Sequence, residues 1–309
     1  MTNKVFKDET LLNPKPHAYG FSNGHDNPSR LSYDPFELAI SDDGINWKSY
    51  YDDEDLFGAH LFDWDPAITN PVDNWQKINT KDGQNLTSSS FDSRDISTTW
   101  EVKGSNRAEF SMILAELQNF FMTRKGFWIV FGNEPTFKYM VKLKPMAPTY
   151  FNEKQGTFVL TFNNYTGMRE SVGTSLEIFD KEKNFFSYGM GIPNKDISYE
   201  SKEEEFSIYN PSSVAIDPLE QHHILKIHIK GSGSPTLTNK TTGESFTYNR
   251  VLTPTDELIL DGVNPMINGE NDGINSDHGT ISLVKGNNDF EISGLSNSDV
   301  SFEFYFIYF

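Results

Sequence analysis

A chain of 309 residues with 26 Lys and Arg against 44 Asp and Glu, a net charge of −18, lacks the clustered cations that phosphate contacts need. That argues against a nucleic-acid binder, and the absence of cysteine removes disulfides, thiolate metal sites and thiol nucleophiles together. The length suffices for two domains with separate cores, and the lack of a long apolar run or a charged-then-apolar leader predicts a soluble chain without a spanning segment or secretion signal.

The first 35 residues, rich in Asn, Pro, Gly and Ser, read as a loop or arm. FELAI (36–40) reads as a strand and Ser41-Asp42-Asp43-Gly44 as a turn. From Tyr50 to Ser93 runs a polar stretch holding Asp52-Asp53-Glu54-Asp55 and the apolar islands Phe57, Leu61, Phe62, Trp64 and Trp75. A loop of that length inside a domain is uncommon and usually functional or ordered by a partner. We therefore expect an extended excursion that packs on something, a neighbouring subunit being one candidate, with Trp64 and Trp75 as the leading subunit-contact residues and Phe57 and Phe62 beside them.

The next segment predicts a helix over about 107–125. Asn106 followed by Glu109 has capping-box spacing, and Phe110, Ile113, Leu114, Leu117 and Phe121 recur on one face. Arg124 and Lys125 suit the negative end of the dipole, with Gly126 as a left-handed stop. Period-two alternation follows in 127–131, 137–145 and 156–165, joined by turns at Gly132-Asn133-Glu134-Pro135 and Asn152-Glu153. One helix is thus expected on a sheet. After Tyr165 the pattern loosens, which predicts a boundary near 175, with domains at 1–175 and 176–309. The second half returns to short strands at 206–210, 223–230, 235–239, 244–249, 257–262, 279–284, 289–294 and 301–309. Spacings of roughly 8–12 residues with Asn-Gly, Gly-Ser and Thr-Gly turns read as a sandwich without a helix. The fold class expected is mainly β, in keeping with 25 Phe and 13 Tyr.

Taken in order, several short motifs resemble the siphophage distal tail protein family. In the first half these are Arg94-Asp-Ile, a helix ending in Phe120-Phe121, Tyr139-Met-Val-Lys-Leu and Tyr165-x-x-x-Arg169-Glu170-Ser171. In the second half they are Tyr209-Asn210-Pro211, Asp217-Pro218, Leu237-Thr-Asn-Lys-Thr-Thr-Gly243 with Phe246, Leu260-Asp261-Gly262 and a phenylalanine-rich end. The acidic loop at 52–55 and the 50–93 excursion lie outside this matching pattern. The resemblance implies a non-enzymatic hub: a β-rich first domain with one helix, closing into a hexameric ring at the tail tip, and a galectin-like β-sandwich after it. The implied partners are copies of the chain itself, the tail tube protein, the tail-associated fibre or lysin protein, and receptor-binding or baseplate proteins. Genomic DNA would pass through the lumen without specific binding, helped by like-charge repulsion if that face is acidic. The implied location is the virion tail tip, assembled in the host bacterial cytoplasm, with no membrane insertion.

Sharper chemistry finds little support in the residues. His222 and His228, on one strand face, would sit about 20 Å apart, too far for one ion. The 52–55 acids lack the glycine and terminal glutamate of a calcium loop. No Gly-x-Ser-x-Gly or phosphate loop occurs, and no carboxylate pair stands out. We therefore expect no enzyme, catalytic residue, cofactor or metal. The rival is a saccharide-binding module in the second domain, with Tyr199, Tyr209 and Tyr248 as stacking residues; against it, all five Trp lie in the first half.

Overall fold

The computed structural model describes residues 2–7, 35–145, 149–150, 152–183, 185, 187, 189–193 and 197–309. Strand makes up 47% of the described residues and helix 9%, so the mainly β class holds. The chain divides into two compact units, Met1–Val172 with Phe309, and Gly173–Tyr308. The sequence reading of an N-terminal arm falls mostly outside the described residues. Within them, Val5 and Phe6 are buried, and the Asn3 amide donates to Ile45 O at 3.0 Å.

The first unit comprises β1 (Leu38–Ser41), β2 (Lys48–Ser49), β3 (Ala59–Pro66), β4 (Pro71–Gln76), β5 (Asn85–Phe91), β6 (Arg94–Lys103), α1 (Arg107–Phe121), β7 (Phe127–Phe131), β8 (Phe137–Leu143), β9 (Thr149–Tyr150), β10 (Gln155–Asn164) and β11 (Arg169–Ser171). Antiparallel pairing runs in the order β2-β1-β7-β8-β10-β6-β3. The path curls until its ends meet: Phe36, two residues before β1, bridges Leu61 of β3, its amide 2.7 Å from the Leu61 carbonyl. Closure leaves no long open edge and turns alternate residues inward. Along β6 the buried positions Ile96, Thr98, Trp100 and Val102 alternate with outward ones, and Phe158, Leu160 and Phe162 of β10 do the same.

Helix α1 caps this core. Phe121 meets Trp100 and Phe162 edge-on, with ring centroids 5.6 and 5.1 Å apart, and Phe110 lies 6.3 Å from Phe158. Its start is as the sequence predicts, the Asn106 side chain accepting the Glu109 amide at 3.0 Å. Glu109 reaches back one residue further than a capping box, to the Ser105 amide at 2.6 Å. Its end is not as predicted. The helix stops at Phe121, with Met122 extended (φ −87°, ψ 101°), so Arg124 and Lys125 lie beyond it. Gly126 is no left-handed stop either. A Cβ there would fall 2.2 Å from the Tyr165 hydroxyl, so glycine serves a close approach of chain to ring.

The 50–93 region differs most from expectation. It is not an irregular excursion: residues 50–52 and 54–56 are 3-10 turns, β3 is a barrel strand, and β4 with β5 forms a separate hairpin. The acidic run is built into those turns. Asp53 caps the second one while pairing Lys48 at 2.7 Å, and Asp52 pairs Lys7 at 2.6 Å.

The second unit holds β12 (Glu200–Ser201), β13 (Glu205–Asn210), β14 (Leu225–Asn239), β15 (Glu244–Thr247), β16 (Leu258–Asp261), β17 (Asn264–Ile267), β18 (Glu270–Asn271), β19 (Gly286–Phe304) and β20 (Ile307–Tyr308). No α-helix occurs among its described residues. Two pairs of expected short strands fuse: 223–230 with 235–239 into β14, and 289–294 with the first four residues of 301–309 into β19. These two long strands pair along their length, with register shifts between Lys230 and Ser232 and between Gly233 and Thr236. Phe290 and Phe302 show what the shifts accomplish. Twelve steps of straight strand span about 40 Å, yet the two rings are 4.8 Å apart, so β19 folds over on itself. Gly294 (φ +78°) and Gly233 (φ +133°) allow the bend: a Cβ on Gly233 would meet the Gly294 carbonyl at 2.0 Å. The outcome is a sandwich whose two layers share the same long strands. The expected strand at 279–284 is reduced to a single bridge between Leu283 and Ile216. Its Ser282 amide and hydroxyl donate to Glu244 Oε2 at 2.7 Å, and its carbonyl accepts from the buried Asn239 at 2.8 Å. Side chains there occupy the groups a strand partner would have taken.

Candidate functional site

The structure separates the four expected contact residues into different settings. Trp75 lies on β4 and is 55% exposed. Pairing of Pro71 with Phe91, Asp73 with Ser89 and Trp75 with Leu86 puts these six on one face of the hairpin. Trp75 and Leu86 thus share a face open to solvent whose far end, Phe91, meets the Phe309 ring at 4.9 Å, while Asn74, Ser88, Gln76 and Asn85 line the other. A two-stranded hairpin is marginal in water unless something packs on it, and almost every residue of this one is exposed.

Trp64 is another matter. It stacks on Phe131 at 3.8 Å with the planes 5° apart, and its indole N–H donates to Asn133 Oδ1 at 3.0 Å. It is therefore half-buried in its own barrel wall. Phe62 is the extra residue where β3 shifts register against β6 between Leu61 and Asp63, which turns it outward. Phe57, 53% exposed, follows the second 3-10 turn.

Phe57 also rims a groove of about 810 Å³ between residues 54–60 and the start of α1. The floor is Ile113 and His60, both buried; Met112 stands on the rim, 67% exposed. Glu54, Asp55, Glu109 and Glu116 bring four carboxylates to its lining, against the single ammonium of Lys103. Burial, with Lys103 nearby, pushes the His60 imidazole down to about 4, so it is neutral at physiological pH. Sequence reasoning missed this groove; only Phe57, an apolar residue after an acidic run, marked it.

In the second unit Tyr199 and Tyr248 are core residues, 3% and 0% exposed, which withdraws two of the three expected sugar-stacking rings. His223 accepts the Asp217 amide through Nδ1 at 3.2 Å. His228 stands between Glu257 and Glu303, whose carboxylates raise its pKa.

Residues 49–164 match the family model described as the phage tail protein RIFT-related domain, and the match spans the 50–93 region that the sequence reading had left outside the pattern. The whole fold resembles the crystal structure of phage SPP1 Dit (gp 19.1), described as a paradigm of the hub adsorption apparatus in Gram-positive-infecting phages. That similarity has a TM-score of 0.63 at 10% identity and covers 88% of this chain and all of the other. A chain of the phage P2 baseplate in its activated conformation with Ca aligns at TM-score 0.43 and 12% identity, covering 87% and 97% of the two chains. No curated protein matches the chain in sequence. The resemblance to siphophage distal tail proteins is thus borne out in the family match over residues 49–164 and in the fold.

Proposed function

We propose that this protein is a distal tail hub: a non-enzymatic subunit that closes into a homo-oligomeric ring, six-membered as in the family it resembles, at the tail tip. The ring joins the tail tube protein to the tail-associated fibre or lysin protein, and the second units carry receptor-binding or baseplate proteins. Genomic DNA passes through the lumen without specific contacts, and assembly takes place in the host bacterial cytoplasm. The observation that carries this reading is the full-length likeness to SPP1 Dit, which extends over both units and leaves none of that chain unmatched. The exposed Trp75 and Leu86 of the β4–β5 hairpin support it independently, because an apolar patch left open to water marks an interaction site.

Light scattering across a concentration series, with electron microscopy of the same sample, tests the proposal. The expected result is a closed particle of six times the 35.2 kDa chain mass. A monomer at every concentration would refute ring formation by this chain alone.

A further inference from the structure

We infer that the ring contact is heterologous: the tip of the β4–β5 hairpin of one copy seats in the acidic groove beside α1 of the next. This inference rests on the ring reading above and adds to it which two surfaces meet. Three features of a single copy point there.

The first is unspent charge. The tip between β4 and β5 carries Lys77 and Lys81. Lys77 Nζ donates to the carbonyls of Lys81 and Gly83 at 2.9 and 3.1 Å, and Lys81 Nζ to Asn85 Oδ1 at 2.8 Å. Neither ammonium meets a carboxylate among the described residues. In the groove, Glu54, Asp55 and Glu116 likewise meet no ammonium among the described residues. Opposite charges left unpaired on two surfaces of one molecule are complementary once copies meet.

The second is apolar fit. The tip presents Ile78, 48% exposed, beside Trp75 and Leu86, and the groove presents Phe57 and Met112 around a buried Ile113 floor. Each surface is an apolar centre with charged residues at its rim, the arrangement of a contact that excludes water at its middle.

The third is placement. The groove adjoins the Ala59 end of β3, and the hairpin leaves from the Pro66 end, seven residues or about 23 Å away along the strand. Two different patches at opposite ends of one strand suit a head-to-tail contact, and head-to-tail contacts close into rings where the rotation between copies closes.

The natural absence of cysteine makes the test direct. The full-length chain carrying Ile78→Cys and Met112→Cys is treated with a short bismaleimide and run on a denaturing gel, after light scattering has fixed its mass. We expect a ladder of covalent multimers ending at the ring. Each single variant alone should stay monomeric on the gel, and a mixture of the two should give covalent dimers. Lys77→Glu with Lys81→Glu should weaken association about tenfold, the size of one or two interfacial charge pairs, and Glu54→Lys with Glu116→Lys in the same chain should restore it. A ring by mass that yields no ladder overturns the docking and leaves the ring reading standing. Dimers from Ile78→Cys alone overturn it in favour of a hairpin-to-hairpin contact. A monomer by mass in the unmodified protein overturns both readings.

Discussion

Alanine at Trp64 and at Trp75 should have opposite consequences, although both residues are tryptophans on neighbouring strands of one polar region. An aromatic side chain carries 150–250 Å² of surface, and with 55% of Trp75 exposed roughly 100 Å² of it faces outward. At about 25 cal/mol per Å², covering that area stabilises a contact by about 2.5 kcal/mol, about a sixty-fold change in dissociation constant. In the isolated monomer the same truncation removes almost nothing and should stay within about 0.5 kcal/mol of the parent. Trp64 is the reverse case. It is stacked face to face on Phe131 and held by Asn133, so half of a full Trp-to-Ala core loss, about 2 kcal/mol, should fall on the monomer. Urea unfolding at a concentration where the chain is monomeric reads the first quantity, and light scattering at higher concentration reads the second. If Trp75→Ala costs the monomer as much as Trp64→Ala, the hairpin packs within its own subunit and the reasoning fails. If Trp75→Ala assembles with unchanged affinity, the exposed face is no contact.

Gly294→Ala should cost on the order of 3 kcal/mol, because a Cβ there adds a 2.1 Å contact with the Ser234 carbonyl to the strain of φ +78°. Gly243→Ala, at φ +80° with nothing nearby, should cost only about 1 kcal/mol; equal losses by thermal unfolding would mean that the bend does not depend on close strand approach. Burial depresses the folded pKa of His60 to about 4 from its usual 6.5, so between these values the unfolded chain binds more protons. Stability therefore falls as pH drops from about 6.5 to 4, by about 3 kcal/mol in all. That slope, taken as parent minus His60→Leu in denaturant titrations, should vanish above pH 7, and a difference independent of pH would refute a buried neutral imidazole.

The sequence made legible those elements whose pattern is local. Asn106 and the Phe110–Phe121 face announce α1 because capping and a 3.6-residue period are written within two turns of chain. The inward sets of β6 and β10 announce themselves through strict alternation. What stayed hidden depended on partners distant in sequence. No local feature of 223–239 says that two strands are one, because the join is made by Gly233 lying against Gly294, sixty residues on. Nor does the apolar alternation of 279–284 reveal that Glu244 and Asn239 take its backbone groups. The helix end was misplaced for a related reason: basic residues followed by glycine have the composition of a C-cap, but Gly126 is required by Tyr165, not by the helix.

The hairpin shows why assembly surfaces are the hardest to read. Its apolar residues Trp75, Leu86 and Phe91 share a face, yet Leu86 and Phe91 are five residues apart, an odd spacing that period-two reasoning assigns to opposite faces. The cause is the register shift between Asn74 and Trp75, which leaves Thr87 as the unpaired extra residue and moves Leu86 across. With its period broken and its partner strand supplied by a tip of polar residues, the segment looks like loop punctuated by chance aromatics. The same shift is what gathers Trp75 and Leu86 into one patch. A patch where Trp75 and Leu86 stay open to solvent, next to a lysine tip whose ammoniums meet no carboxylate among the described residues, departs from the monomer's packing rules in two independent ways at one place. Departures from local consistency concentrate where a protein meets what completes it. The groove beside α1 departs in the complementary sense, with surplus carboxylates around an exposed Met112 and Phe57. The pairing of these two anomalies is why the contact is assigned to them and not to Trp64, whose every requirement its own barrel already meets.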